Sequence, residues 1–152
     1  MASSRSRSKK QSAGSRERPL SLPEDFVLYL DENPHNCKPI LEALVQRAVK
    51  HERHLEHFQP GTEDSVWLPF VGQQGWILLT KDKRIRFNQL EKAAIRRYHV
   101  REFYFSSGNY SGAAMAAILV AALPEMVKVC RKHEPPFIAS ISKSGKINLR
   151  FE

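Results

Sequence analysis

Three acids in this sequence occupy positions where their carboxylates could hold a metal ion. Asp31 directly follows a short apolar run at 26–30, and Asp82 comes two residues after a second apolar run at 76–80. Asp64 stands in the segment between the two runs. Oxygen ligands of this type suit Mg²⁺ or Mn²⁺ better than zinc. The three acids therefore predict a divalent-metal site, provided that the fold brings them together.

The two apolar runs are the elements that position Asp31 and Asp82. FVLYL at 26–30 and WILLT at 76–80 are short and apolar almost throughout, a pattern typical of central strands in a parallel sheet. Ligands of open parallel sheets bind beyond the carboxyl ends of the strands. If the two strands are neighbours, both carboxylates share one edge, and a cation between them offsets their repulsion.

A short helix is predicted to carry the third acid. Thr62 is its expected N-cap, which makes Glu63 and Asp64 its first-turn residues, and Pro69 predicts a kink or a break. The sequence leaves open which of the two acids is the ligand. A simpler interpretation also exists, since acids are favoured at helix N-termini by the helix dipole and Asp is common in turns after strands.

The rest of the chain continues the alternation of strands and helices. Residues 51–60 fit either an edge strand or the end of the preceding helix. The later elements are predicted as a helix over 89–98, a strand over 100–105, a helix from about 111 to 133 interrupted at Pro124, and a hairpin of 137–141 with 146–151. This order predicts an α/β domain with a mostly parallel sheet and an antiparallel C-terminal hairpin.

Cations surround Asp82 in the sequence. They are Lys81, Lys83, Arg84, Arg86, Arg96, Arg97 and Arg101. An acidic metal site flanked by cations suits a phosphodiester substrate, with Lys83, Arg84 and Arg86 as the expected RNA contacts. For Arg96, Arg97 and Arg101, a solvated helix face is an equally good explanation.

Composition separates a basic tail from one domain. Residues 1–20 carry six Lys or Arg and one acid, so we predict a disordered basic tail over 1–22 and a single domain over 23–152.

The unpaired Cys37 and Cys130 predict free thiols and a cytoplasmic protein. The longest apolar run, 113–123, has 11 residues, whereas a membrane span needs about 20. It therefore predicts a core or interface helix and no membrane partner.

Three segments resemble the PIN-like domains, and in particular the VapC-type toxins of toxin–antitoxin pairs. They are Leu30-Asp31-Glu32-Asn33, Asp64 with Trp67 three residues later, and GWILLTKDKRI at 75–85. The resemblance covers about residues 25–132. It implies a Rossmann-like, three-layer fold and a metal-dependent ribonuclease. The first family acid falls on Asp31, the helix acid on Asp64 or Glu63, and the third on Asp82.

The resemblance also raises expectations about accessory residues and partners. Many PIN domains have a further acid after the next strand, but here that region is FSSGN at 105–109, so Asn109 or Ser107 would act as neutral ligands. Glu32 is a further accessory candidate. A toxin role implies an RNA substrate and an antitoxin protein, and the Ala-rich helix from Ser111 to Leu123 suggests a homodimer.

Two other functions are compatible with the same residues. One is a non-catalytic RNA-binding or protein-interaction module on the same fold, which would bind RNA without cleaving it. The other is a phosphatase or phosphotransfer domain that uses Asp31, since aspartates at a sheet edge also serve that chemistry.

Overall fold

The computed structural model describes residues 22–31, 37–81, 89–107 and 109–151. Along the chain the elements are β1 Val27–Leu30, α1 Lys38–Gln46, β2 Lys50–Arg53, a 3₁₀ turn His54–Glu56, α2 Asp64–Gln74, β3 Ile77–Thr80, α3 Gln89–Arg97, β4 Arg101–Phe105, α4 Gly112–Lys132, β5 Phe137–Ile141 and β6 Ile147–Phe151. The predicted basic tail lies outside the described residues, except for Leu22.

One six-stranded sheet has the order β2-β1-β3-β4-β5-β6. The first five strands are parallel, and β6 pairs antiparallel with β5. The predicted α/β class with its antiparallel C-terminal hairpin is confirmed. β1 and β3 are direct neighbours in register, with Leu30 opposite Leu79. The segment at 51–60 forms edge strand β2 and the 3₁₀ turn, which resolves that ambiguity in favour of a strand.

Helices cover both faces of the sheet and make a three-layer arrangement. On one face α1 and α4 pack against side chains that include Leu28, Leu79 and Phe103. On the other face α2 and α3 pack against Tyr29 and Leu78. The central strands β3 and β5 are buried along their whole length, as expected of parallel strands covered on both sides. Cys37 and Cys130 are free and half-buried.

Both prolines lie inside continuous helices, so the predicted interruption at Pro124 and the predicted break at Pro69 are wrong. The alternative of a kink at Pro69 stays a prediction. Pro69 is within α2, and Pro124 is within α4, a helix of 21 residues. A proline inside a helix removes one hydrogen bond, but packing of the apolar face outweighs that loss here. The buried positions of α4 are Met115, Ala116, Ile118, Leu119, Ala122, Leu123, Met126 and Val127.

Among the described residues, α4 is long and apolar enough to cross a membrane by length and composition. Half of its most apolar stretch is buried inside the protein, as in the core helix of a globular domain.

The start of α2 also differs from the prediction. Glu63 is the N-cap in place of Thr62, whose hydroxyl donates to Gln59 O at 2.6 Å within the preceding turn.

Candidate metal centre

Asp31 and Thr80 meet at the carboxyl ends of two neighbouring strands. Parallel pairing of β1 with β3 sets the two residues at the same level, and Asp31 N donates to Leu79 O at 3.2 Å. Thr80 Oγ1 then donates a 3.0 Å hydrogen bond to Asp31 Oδ2. Thr80 is 1% exposed, whereas Asp31 is half-buried. A buried hydroxyl therefore orients a carboxylate that solvent can still reach.

This pair begins a row of polar side chains across four strands. Thr80 is in register with Tyr104 on β4, and Tyr104 is in register with Ser140 on β5. Residues at one register level of a parallel sheet point to the same face. The side chains of this row therefore face the layer of α2 and α3, and they are those of Asp31, Thr80, Tyr104 and Ser140. Tyr104 and Ser140 are buried, and neither hydroxyl oxygen has a hydrogen-bond partner among the residues described. Buried hydroxyls without a partner are uncommon, and these two are available to bind an ion or its waters.

Glu102 adds a buried carboxylate to the same face. It lies on β4 two residues before Tyr104, between Leu78 and Ile138 in register, and is completely buried. A buried carboxylate must be compensated by a cation or by hydrogen-bond donors. Our sequence reasoning gave no site role to Glu102, Tyr104 or Ser140. The available signal was that a central strand of a parallel sheet buries both faces, so any polar residue within it is buried too.

Asp64 is the first residue of α2 and is half-buried, while the N-cap residue Glu63 is exposed. Asp64 lines a cavity of about 400 Å³ between α2 and α3. Asp31 does not contribute to that lining. The residues around this cavity are Asp64, Ser65, Leu90, Glu91, Ala93, Ala94, Arg97 and Tyr98. Within the described ranges, no three or more His, Cys, Asp or Glu residues form a group able to hold a metal ion.

Several predicted site residues lie outside the described part of the chain. They are Glu32, Asp82, Lys83, Arg84 and Arg86. The described chain does reach Lys81, which directly follows Thr80 at the end of β3. The grouping of Asp31 with Asp64 and Asp82 therefore stays a prediction from the sequence, and its described anchor is the bond between Asp31 and Thr80.

The loop after β4 holds the neutral ligand candidates. Asn109 is exposed, and its backbone N donates to Ser107 Oγ at 3.1 Å. Ser106 Oγ lies 3.2 Å from Tyr110 Oη. Both contacts are local and stabilise the loop. The assignment of Asn109 or Ser107 as a ligand stays a prediction.

Arg101 lies away from the Asp31 edge, which corrects part of the interpretation of the basic cluster. It is the first residue of β4, whereas Asp31 follows the last residue of β1. The strands are parallel, so the two residues mark opposite ends of the sheet. Arg96 and Arg97 are in the last turn of α3, which leads back to the start of β4, and Arg97 lies over the Tyr98 ring at 5.8 Å.

Comparison with known proteins adds one match. Residues 27–107, more than half of the chain, match a family model described as a PIN like domain. The matched stretch begins with β1 and ends in the loop after β4, so it includes Asp31, Asp64, Thr80 and Asp82. No curated protein and no solved structure gives a significant match.

Proposed function

Because the chain belongs to the PIN-like domain family, we propose that it is a divalent-metal-dependent endoribonuclease whose metal is held by Asp31, Asp64 and Asp82. PIN-like domains are generally nucleases and typically use divalent metals. The observation that carries the proposal is the hydrogen bond between Thr80 and Asp31 at the carboxyl edge of the sheet. It is the arrangement expected when a carboxylate ligand is held by a neighbouring group.

The chemistry of this edge fits Mg²⁺ or Mn²⁺. Asp31 supplies a half-buried carboxylate, and Tyr104 and Ser140 supply buried hydroxyls without protein partners in the described chain. Hard cations prefer oxygen ligands and retain several waters, which such hydroxyls could bind. A divalent ion would provide Lewis acidity, lowering the pKa of a water and stabilising charge on a phosphoryl group.

The protein's own groups have separate roles in this proposal. Asp31 and Asp82 bind the ion, and Asp64 completes the site or orients a water. Thr80 holds the Asp31 carboxylate in one orientation through its hydroxyl. Lys83, Arg84 and Arg86 contact the RNA backbone, which predicts that binding weakens with salt. Glu32, Glu63 and Asn109 are accessory candidates.

The direct test is cleavage of a labelled single-stranded RNA with Mn²⁺, compared with a reaction containing EDTA. We expect Asp31→Asn and Asp82→Asn to lower cleavage by more than about 100-fold, since loss of outer-shell groups alone costs up to that much. Asp25→Asn is the matched control, because Asp25 is an exposed acid that precedes β1 and so lies at the end of the strands opposite Asp31. Equal cleavage by Asp31→Asn and wild type would remove the acids from the mechanism.

A metal-binding measurement separates the ion from the chemistry. Mn²⁺ should raise the melting temperature of the wild type and of Asp25→Asn, and raise it much less for Asp31→Asn. The alternative function is a non-catalytic RNA-binding or protein-interaction module on the same fold. Salt-sensitive RNA binding that survives EDTA, without cleavage, would support that module instead.

A role as the toxin of a toxin–antitoxin pair is a finer form of the same proposal. It predicts that expression of the wild type in the cytoplasm arrests cell growth and that expression of Asp31→Asn does not. It also predicts an antitoxin protein as a partner. A homodimer is proposed through α4, whose exposed residues include Ala113, Ala117 and Ala121. Light scattering that shows only monomer would exclude the homodimer.

A further inference from the structure

A second cavity lies at the end of the sheet opposite Asp31. Its volume is about 210 Å³, and it opens at the amino ends of β1, β3 and β4 beneath the last turns of α4. The residues lining it are Pro23, Asp25, Phe26, Ile77, Arg101, Val127, Cys130 and Arg131. Phe26, Ile77 and Val127 belong to the core, so the charged members decide what the cavity can bind.

Arg101 is built into the cavity wall. It is the first residue of β4 and lies in register between Ile77 and Phe137, so its position is fixed by two strands. Its side chain is half-buried, and Nε is shielded from solvent without a hydrogen-bond partner among the residues described. A buried guanidinium donor without an acceptor is costly. An acceptor of negative charge inside the cavity would remove that cost.

Arg131 brings a second guanidinium to the same cavity from the last turn of α4. The lining contains one acid, Asp25, which is exposed and forms no ion pair with either arginine in the described structure. Two cations and one anion leave the lining with a net positive charge. The cavity is therefore electrostatically suited to an anion rather than to a metal ion.

Cys130 does not change this balance. Burial raises the pKa of its thiol to about 11, so at neutral pH it is an uncharged group. Arg101 acts in the opposite direction and lowers that pKa, which is consistent with a guanidinium close to Sγ. The thiol contributes a weak donor to the wall and no negative charge.

We propose that this cavity binds a small oxyanion of the phosphate class, held by Arg101 and Arg131. Guanidinium groups match the oxygens of phosphate in a planar, two-pronged geometry. The volume of about 210 Å³ is below the range of sites for drug-sized ligands, roughly 300–1,000 Å³, so the cavity can enclose a phosphate group but not the nucleoside attached to it. Free phosphate and a terminal monophosphate are the two sources with this chemistry. The site is independent of the proposed nuclease centre.

The experiment is a calorimetric titration of the full chain with inorganic phosphate. It uses two variants whose affinities for phosphate are expected to change in opposite directions. Arg131→Gln should weaken binding by about fivefold or more, while Asp25→Asn should strengthen it by about twofold because a like charge is removed. Arg150→Gln is the matched control, since Arg150 is exposed on β6 and does not line the cavity. Arg131 is exposed, so its substitution leaves the core intact.

Two further comparisons test whether this cavity is separate from the metal centre and which phosphate compound it binds. Asp31→Asn should bind phosphate as the wild type does, which separates this cavity from the metal centre. Adenosine monophosphate that competes with phosphate in an Arg131-dependent way would identify a terminal monophosphate, and failure to compete would identify the free anion. No saturable binding at about 20 mM phosphate, equal affinity of Arg131→Gln and wild type, or loss of binding in Asp31→Asn would overturn the proposal.

Discussion

Thr80 Oγ1 donates to Asp31 Oδ2 across 3.0 Å, and this bond joins residues 49 positions apart in the sequence. It exists because β1 and β3 are neighbours in a parallel sheet, which brings the two strand ends to one level. Thr80 is buried, so its hydroxyl has little freedom to turn towards solvent. Asp31 is thereby positioned before any ligand arrives, which lowers the ordering cost of binding one.

Thr80→Val should weaken metal binding with little change to the fold. Valine has nearly the same shape and is well suited to a strand, but it cannot donate to Asp31. We expect the affinity for Mn²⁺ to fall by about 10- to 100-fold, with cleavage falling in parallel. Calorimetry with Mn²⁺ and the RNA cleavage assay measure the two effects separately.

Thr62→Val is the matched control for that prediction. Its hydroxyl donates to Gln59 O in the turn before α2, so this change also removes one threonine hydrogen bond. We expect a small loss of stability and an unchanged affinity for Mn²⁺. The assigned role of Thr80 would be contradicted if both variants lost metal affinity equally.

Ser140→Ala should stabilise the protein. Ser140 Oγ is buried and has no hydrogen-bond partner in the described chain, so removing it relieves the desolvation cost of an unpaired hydroxyl. We expect the free energy of unfolding to rise by about 1 kcal/mol. Denaturant unfolding of the metal-free protein provides the measurement.

Ser142→Ala provides the opposite case two residues further along the chain. Ser142 Oγ accepts a hydrogen bond from Lys146 N at 3.1 Å and lies 3.1 Å from Ser144 Oγ. Its removal should lower the free energy of unfolding by roughly 0.5–1 kcal/mol. If Ser140→Ala lost as much stability, an ordered water would have to occupy the polar row beside Asp31.

The sequence predicted the strands of this site better than the side-chain partners within it. The runs at 26–30 and 76–80 are apolar almost throughout, and such runs require burial on both faces, so β1 and β3 could be predicted from local pattern alone. Strand order and register depend on the whole fold. The bond from Thr80 to Asp31, and the row that continues to Ser140, could therefore not be read from spacing.

The errors in the helix predictions also arise from contacts that local sequence patterns do not show. Propensity rules predicted a kink or a break at Pro69 and an interruption at Pro124, yet both helices continue because each buries apolar side chains against the sheet. The N-cap prediction at Thr62 failed by one residue because its hydroxyl bonds within the preceding turn instead. In each case a tertiary or neighbouring contact outweighed a local preference.

Gly72→Ala should destabilise the packing of α2 on α3. A Cβ atom at this position would lie 2.1 Å from the Tyr98 carbonyl oxygen, which is backbone and cannot rotate away. We expect a loss of about 2–3 kcal/mol in the free energy of unfolding, the upper range for overpacking. Because Asp64 and Tyr98 line the same cavity, the metal affinity should fall as well.

Gly75→Ala isolates the backbone component of that change. Gly75 has φ of 72° and no atom within 4 Å of an added Cβ, so only conformational strain is introduced. A loss of about 1 kcal/mol is expected, which is the usual cost of a non-glycine residue in the left-handed region. Equal losses in the two glycine variants would show that α2 and α3 can separate without cost.

The stability of the protein should decline between pH 9 and about 11 because of Cys130. Burial raises its thiol pKa from 9.0 to about 11, so the folded state holds this proton more tightly than the unfolded state does. The resulting stabilisation is complete below the unfolded pKa and is lost as the pH rises through the folded pKa. Cys130→Ala should lose less stability than the wild type between pH 8 and 11 in denaturant unfolding. Cys37→Ala retains Cys130 and should follow the wild type, so a parallel decline in all three proteins would assign the pH dependence to other groups.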